Sequence, residues 1–123
     1  MKRILLVEDE EVLSEVVKGA LEQKGYEVDV AEDGEVGLQK AKQGGYDLIL
    51  LDIIMPTMNG FEVMEEIQKD EEMAKTPIIV VSNSGQPVEV DRAKELGASD
   101  WLLKTEFDPE EVVKKVINQI GEA

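Results

Sequence analysis

A doubly wound α/β fold, five β/α units around one parallel sheet, is predicted by three features of this 123-residue chain. Five short β-rich runs alternate with five segments whose apolar residues recur at helical spacing. The first, third and fourth runs are continuously apolar, as central strands covered on both faces must be. Polar groups able to do chemistry gather at the carboxyl ends of four runs, where open α/β sheets bind ligands.

The strands are expected at Arg3–Val7, Glu27–Ala31, Leu48–Leu51, Ile78–Ser82 and Trp101–Leu103. The second contains the alternation Val28-Asp29-Val30 and suits an edge. After the first strand, Val12, Leu13, Val16, Val17, Ala20 and Leu21 mark a helix that Gly25 stops. Val36, Gly37, Leu38 and Ala41 mark the second, before Gly44-Gly45. Phe61, Val63, Met64 and Ile67 mark the third, and Val88, Ala93 and Leu96 the fourth, which ends at Gly97. The fifth starts near Asp108-Pro109, with proline suited to the first helical position, and should bury Val112, Val113, Val116, Ile117 and Ile120. Residues 1–123 are expected to form a single domain, with right-handed crossovers and helices on both faces of the sheet.

Composition excludes several functions. Acidic residues number 28 against 13 basic ones, giving a net charge of −15. Such a surface repels nucleic acid and anionic lipid, which are bound chiefly through cations. The absence of cysteine removes disulfides and thiolate metal sites. The N-terminal apolar stretch Ile4-Leu5-Leu6-Val7 is too short for a signal peptide, and no run nears the roughly 20 apolar residues of a membrane span. A cytoplasmic protein is the expectation. With no histidine in the chain, imidazole chemistry must come from a partner.

The strand ends carry the chemistry. The first runs into Glu8-Asp9-Glu10, the third ends at Asp52, the fourth ends Ser82-Asn83-Ser84-Gly85, and the fifth is followed by Lys104. With the first, third, fourth and fifth strands adjacent, one crevice receives the Glu8, Asp9 and Asp52 carboxylates, the Ser82 hydroxyl and the Lys104 ammonium. That set suits a divalent cation together with a phosphoryl group. Mg²⁺ takes oxygen ligands, often one or two carboxylates beside phosphate oxygens. Taken singly, each residue has a plainer role. The acidic run could favour a helix N-terminus, Ser82 could cap a helix, Asn59-Gly60 could form a turn and Lys104 could sit on the surface.

The ordered set Glu8-Asp9, Asp52, Met55-Pro56 with Asn59-Gly60, Ser82, Gly97-Ala98 and Lys104 resembles the CheY-like receiver domain of two-component response regulators. The resemblance covers essentially the whole chain. It implies the flavodoxin-like strand order 2-1-3-4-5 and a phosphoacceptor switch rather than a conventional enzyme. Asp52 would accept a phosphoryl group from a phosphohistidine on a histidine kinase or histidine phosphotransfer protein. Asp9, Asp52 and the main-chain carbonyl of Ile54 would bind Mg²⁺, with Glu8 acting mostly through metal-bound water. Lys104 and Ser82 would meet the phosphoryl oxygens, and Trp101 would pack inward to change the face made by the fourth helix, fifth strand and fifth helix. A downstream protein would read that face. The resemblance is to the stand-alone type, acting as a monomer or weak dimer.

Three positions depart from the pattern. Thr105 stands where such domains usually have proline, and a trans Lys104–Thr105 bond is expected because a non-proline cis bond costs about 2.5–4 kcal/mol. Asn83 replaces the common alanine beside the phosphate site. Ile54, apolar and two residues beyond Asp52, suggests slow loss of the phosphoryl group. A phosphatase using an aspartate nucleophile would want a second acid at Ile54, and a nucleotide-binding module would want a glycine-rich loop after the first strand. A receiver-like module that binds partners without phosphorylation is the remaining alternative.

Overall fold

The computed structural model describes residues 1–55, 57–83, 85–104 and 108–123. Its strands are β1 (Arg3–Val7), β2 (Glu27–Ala31), β3 (Leu48–Asp52), β4 (Ile78–Ser82) and β5 (Ala98–Leu103). The helices are α1 (Glu11–Gln23), α2 (Gly34–Gln43), α3 (Gly60–Gln68), α4 (Pro87–Glu95) and α5 (Pro109–Ile120), with a 3₁₀ turn at Met73–Lys75. The strands pair in parallel in the order β2-β1-β3-β4-β5, the doubly wound, flavodoxin-like order.

Period-two alternation divides the core into two layers. Leu5 and Val7 of β1 face the same way as Ile49 and Leu51 of β3 and pack with Leu38, Ala41, Val63, Met64, Ile67 and Ala93 from α2, α3 and α4. Ile4, Leu6, Leu48, Leu50 and Ile79 face the other way, onto Val17 and Leu21 of α1 and Val112, Val113 and Val116 of α5. β3 and β4 are buried along their full length, as their unbroken apolar runs predict. β2 lies at the edge, where Asp29 accepts hydrogen bonds from Arg3 Nη2 at 2.9 Å and the Tyr46 hydroxyl at 2.7 Å. At the opposite end of the chain, Lys2 and the Tyr26 hydroxyl donate to carbonyls of Ile120 and Gly121, holding the end of α5 under the sheet.

The apolar residues that mark the helices do not all pack, and one strand starts earlier than expected. Val12, Val16, Val36 and Val88 lie on the solvent side of their helices, with Val12 76% and Val88 78% exposed. Each sits beside the stripe that touches the sheet, and that stripe is narrower than the apolar run. Ile117 and Ile120 are half-buried, packing at the margin of the α1–α5 layer. β5 begins three residues earlier than expected, at Ala98, because the backbone of Ala98-Ser99-Asp100 pairs with β4 despite weak strand character. Ser99 is an extra residue there, between the partners of Ile78 and Ile79. Among the described residues, no helix is long and apolar enough to cross a membrane.

Candidate functional site

Glu8 follows β1, Asp52 closes β3, Ser82 closes β4 and Lys104 follows β5, so the parallel register brings all four to one edge of the sheet. Glu8, Asp52 and Ser82 are buried, whereas Asp9 is exposed at the mouth. Lys104 reaches across the crevice. Its Nζ lies 3.0 Å from Asp52 Oδ2 and 2.9 Å from Glu8 Oε1. It also lies 3.3 Å from Glu10 Oε2, a third partner that the sequence reading did not assign. The run Glu8-Asp9-Glu10-Glu11 signals acid at this strand end but not which side chains turn inward.

The electrostatics are those of a site short of positive charge. One carboxylate oxygen each from Glu8, Asp9 and Asp52 falls within 4.8 Å of the other two. Burial, reinforced by a hydrogen bond to Asp52, pushes the Glu8 carboxyl up to about 8, against the opposing pull of Lys104. Burial would lower the Lys104 ammonium, but hydrogen bonds and charge from Glu8 and Asp52 outweigh it and hold Lys104 above the usual lysine range. One ammonium thus serves Glu8, Glu10 and Asp52, and burial favours the protonated form of Glu8. Three convergent oxygen donors, one of them a carboxyl that burial holds well above the usual range, fit a hard divalent ion such as Mg²⁺.

The loop after Asp52 is built for close approach. Gly60 opens α3 and donates to the Ile53 carbonyl at 2.8 Å. A Cβ there would come within 2.5 Å of the Asp52 carbonyl oxygen, so only glycine lets α3 begin this close to the strand end. Asn59 caps α3 by accepting from Glu62 N at 3.0 Å, and Asn59 N donates to Glu62 Oε1 at 3.1 Å, so Asn59 turns the chain into α3 right after the loop that follows Asp52. Thr57 adopts φ 66°, a left-handed conformation costly for a β-branched residue. The Ile54 side chain is 69% exposed. Asn83 is exposed, and Trp101 is half-buried against the α2–α4 layer. The Lys104–Thr105 bond expected to be trans involves Thr105, which lies outside the described residues.

Residues 4–117 match the family model of the response regulator receiver domain. The response regulator ArlR of Staphylococcus saprophyticus is 37% identical over 116 residues, covering 94% of this chain and 51% of that protein. The DNA-binding dual master transcriptional regulator RpaA of Synechocystis is also 37% identical over 116 residues, covering 94% of this chain and 48% of its own. The chain thus spans about half the length of these curated relatives. Among solved structures, chemotaxis protein CheY4 of Vibrio cholerae superposes with a TM-score of 0.90 at 33% identity, covering 97% of this chain and 98% of that one. The receiver domain of sensor histidine kinase PA1611 from Pseudomonas aeruginosa has a TM-score of 0.88 at 30% identity, covering 98% of both chains, and holds a magnesium ion in its active site cleft.

Proposed function

From the premise that this chain belongs to the response regulator receiver domain family, the phosphoacceptor switches of two-component signalling, we propose that Asp52 is its phosphoacceptor. The observation that carries the reading is the Asp52–Lys104 pair at 3.0 Å, with one carboxylate oxygen each of Glu8 and Asp9 within 4.8 Å of one on Asp52. The donor is a phosphohistidine on a histidine kinase or histidine phosphotransfer protein, which supplies the imidazole this chain lacks. An Asp52 carboxylate oxygen attacks phosphorus. The phosphorus–nitrogen bond breaks, its electron pair returns to the partner's imidazole, and an acyl phosphate remains on Asp52.

Asp9, Asp52 and the Ile54 main-chain carbonyl would hold Mg²⁺, and Glu8 would act mostly through bound water. When bound, the ion supplies positive charge to the phosphoryl oxygens. Lys104 adds a second positive charge, and the Ser82 hydroxyl, at the end of the adjacent strand, donates to the same oxygens. Little covalent help is needed beyond this positioning.

Phosphorylation places new charge beside Ser82 and shifts the population of the α4–β5–α5 face, the surface a downstream protein reads. Trp101 follows by packing inward. A groove of about 230 Å³ bordered by Val90, Ala93, Ala98 and Trp101 supports this, because it leaves room between α4 and β5. The alternative, signalling without phosphorylation, draws on the departures at Asn83, which is exposed, and Thr105, which lies outside the described residues. Incubation with acetyl phosphate and Mg²⁺, read by intact mass, separates the two. The wild-type chain should gain one phosphoryl group and Asp52→Asn none; an unmodified wild-type chain would favour the alternative.

A further inference from the structure

α4 is held to the body by little apolar contact. Of its nine residues only Ala93 is buried, whereas the nine residues of α3 bury five. What α4 has instead is a set of polar ties to one stripe of α3. The Arg92 guanidinium stacks on Phe61, 4.5 Å from the ring centroid, and its Nη2 pairs with Glu65 Oε1 at 3.0 Å. Gln68 Nε2 donates to the Leu96 carbonyl at 2.8 Å, just beyond the end of α4. Gly97, at φ +99°, makes this last tie possible, since a Cβ there would collide with the Gln68 amide. Phe61, Glu65 and Gln68 follow the spacing i, i+4, i+7, which places them on one face of α3.

We propose that Phe61, Glu65 and Gln68 form a latch that grips Arg92 and the Leu96 carbonyl and holds α4 in its resting position. The latch is placed to feel the phosphoacceptor, for Phe61 directly follows Gly60, the residue packed against the Asp52 carbonyl. For α4 to shift, the guanidinium must leave the ring and Glu65 together. The latch therefore sets how much of the shifted state exists before any phosphoryl group arrives. This deepens the reading that modification of Asp52 shifts the α4 face, and rests on it. Because coupling is reciprocal, loosening α4 tightens binding of a phosphoryl group or its mimic.

The test is hydrogen exchange of the unphosphorylated protein, followed by mass spectrometry, for wild type, Arg92→Ala, Arg92→Lys and Glu65→Gln. Loss of an exposed ion pair and a stacked guanidinium should speed exchange of α4 amides roughly fivefold in Arg92→Ala. Arg92→Lys keeps the charge but not the planar stack and should fall between. Exchange in β1 and β3 should stay unchanged. Calorimetric titration with beryllofluoride and Mg²⁺ should show binding to Arg92→Ala tighter by a similar factor. Unchanged α4 exchange, or equal acceleration in every element, overturns the latch. A wild-type protein that fails to bind beryllofluoride refutes the Asp52 reading instead, while the exchange data still decide whether the latch holds α4.

Discussion

Replacing Glu8 by glutamine should change how the stability of the metal-free protein depends on pH. In an unfolded chain the Glu8 carboxyl gives up its proton near 4.5, whereas in the fold it keeps it until about 8. Between those values the folded state binds the extra proton. The stability this contributes is therefore complete below 4.5 and is lost as pH rises through 8. At roughly 1.4 kcal/mol per pH unit, with part of the effect absorbed by Asp52 and Lys104, the loss from pH 5 to 8 is on the order of 3 kcal/mol. Glu8→Gln keeps the shape and polarity of the side chain but cannot ionise, so its stability should lack this decline. Urea unfolding in chelator at pH 5, 6, 7 and 8, followed by Trp101 fluorescence and circular dichroism, measures both curves. Their difference isolates Glu8 from the general repulsion of a chain with net charge −15. Adding Mg²⁺ should flatten the wild-type curve, because cation binding and loss of the Glu8 proton are linked. Parallel curves for wild type and Glu8→Gln would refute the claim that burial beside Asp52 holds this proton.

Other perturbations probe separate parts of the site. Lys104→Met removes the ammonium that Asp52 and Glu8 share and should cost about 3 kcal/mol at neutral pH, read as a lower urea midpoint that Mg²⁺ partly restores. Thr57→Gly relieves the left-handed backbone of the loop after Asp52 and should raise stability by about 0.5–1 kcal/mol, seen as a higher Tm. Ile54→Asn replaces an apolar side chain beside the site with one that can position water, so the acyl phosphate should decay faster. An unchanged decay, followed by intact mass, would remove the shielding role.

The order of elements was readable because burial on both faces demands unbroken apolar strands, and Leu48–Leu51 and Ile78–Val81 supply them. Helix faces were read less well. An extra valine beside the true stripe, as at Val12 and Val16, looks the same in sequence as one beneath it. The start of β5 was missed because Ala98-Ser99-Asp100 is a strand by virtue of its neighbour β4, not by its own propensity. At the site, strand ends named Glu8, Asp52, Ser82 and Lys104 because a parallel sheet collects its carboxyl ends. Glu10 and the Arg92–Phe61–Glu65 contacts depend on how side chains turn between elements distant in sequence, and no local pattern encodes that.

The phosphoryl group is expected on Asp52 itself. Borohydride reduces an acyl phosphate to an alcohol and so marks the modified aspartate as homoserine. After incubation with a phosphoryl donor and Mg²⁺, borohydride trapping and peptide mapping should find homoserine at position 52 and at no other acidic residue. Homoserine at Asp9 or elsewhere, or none at all in a chain that has gained a phosphoryl group, would contradict it.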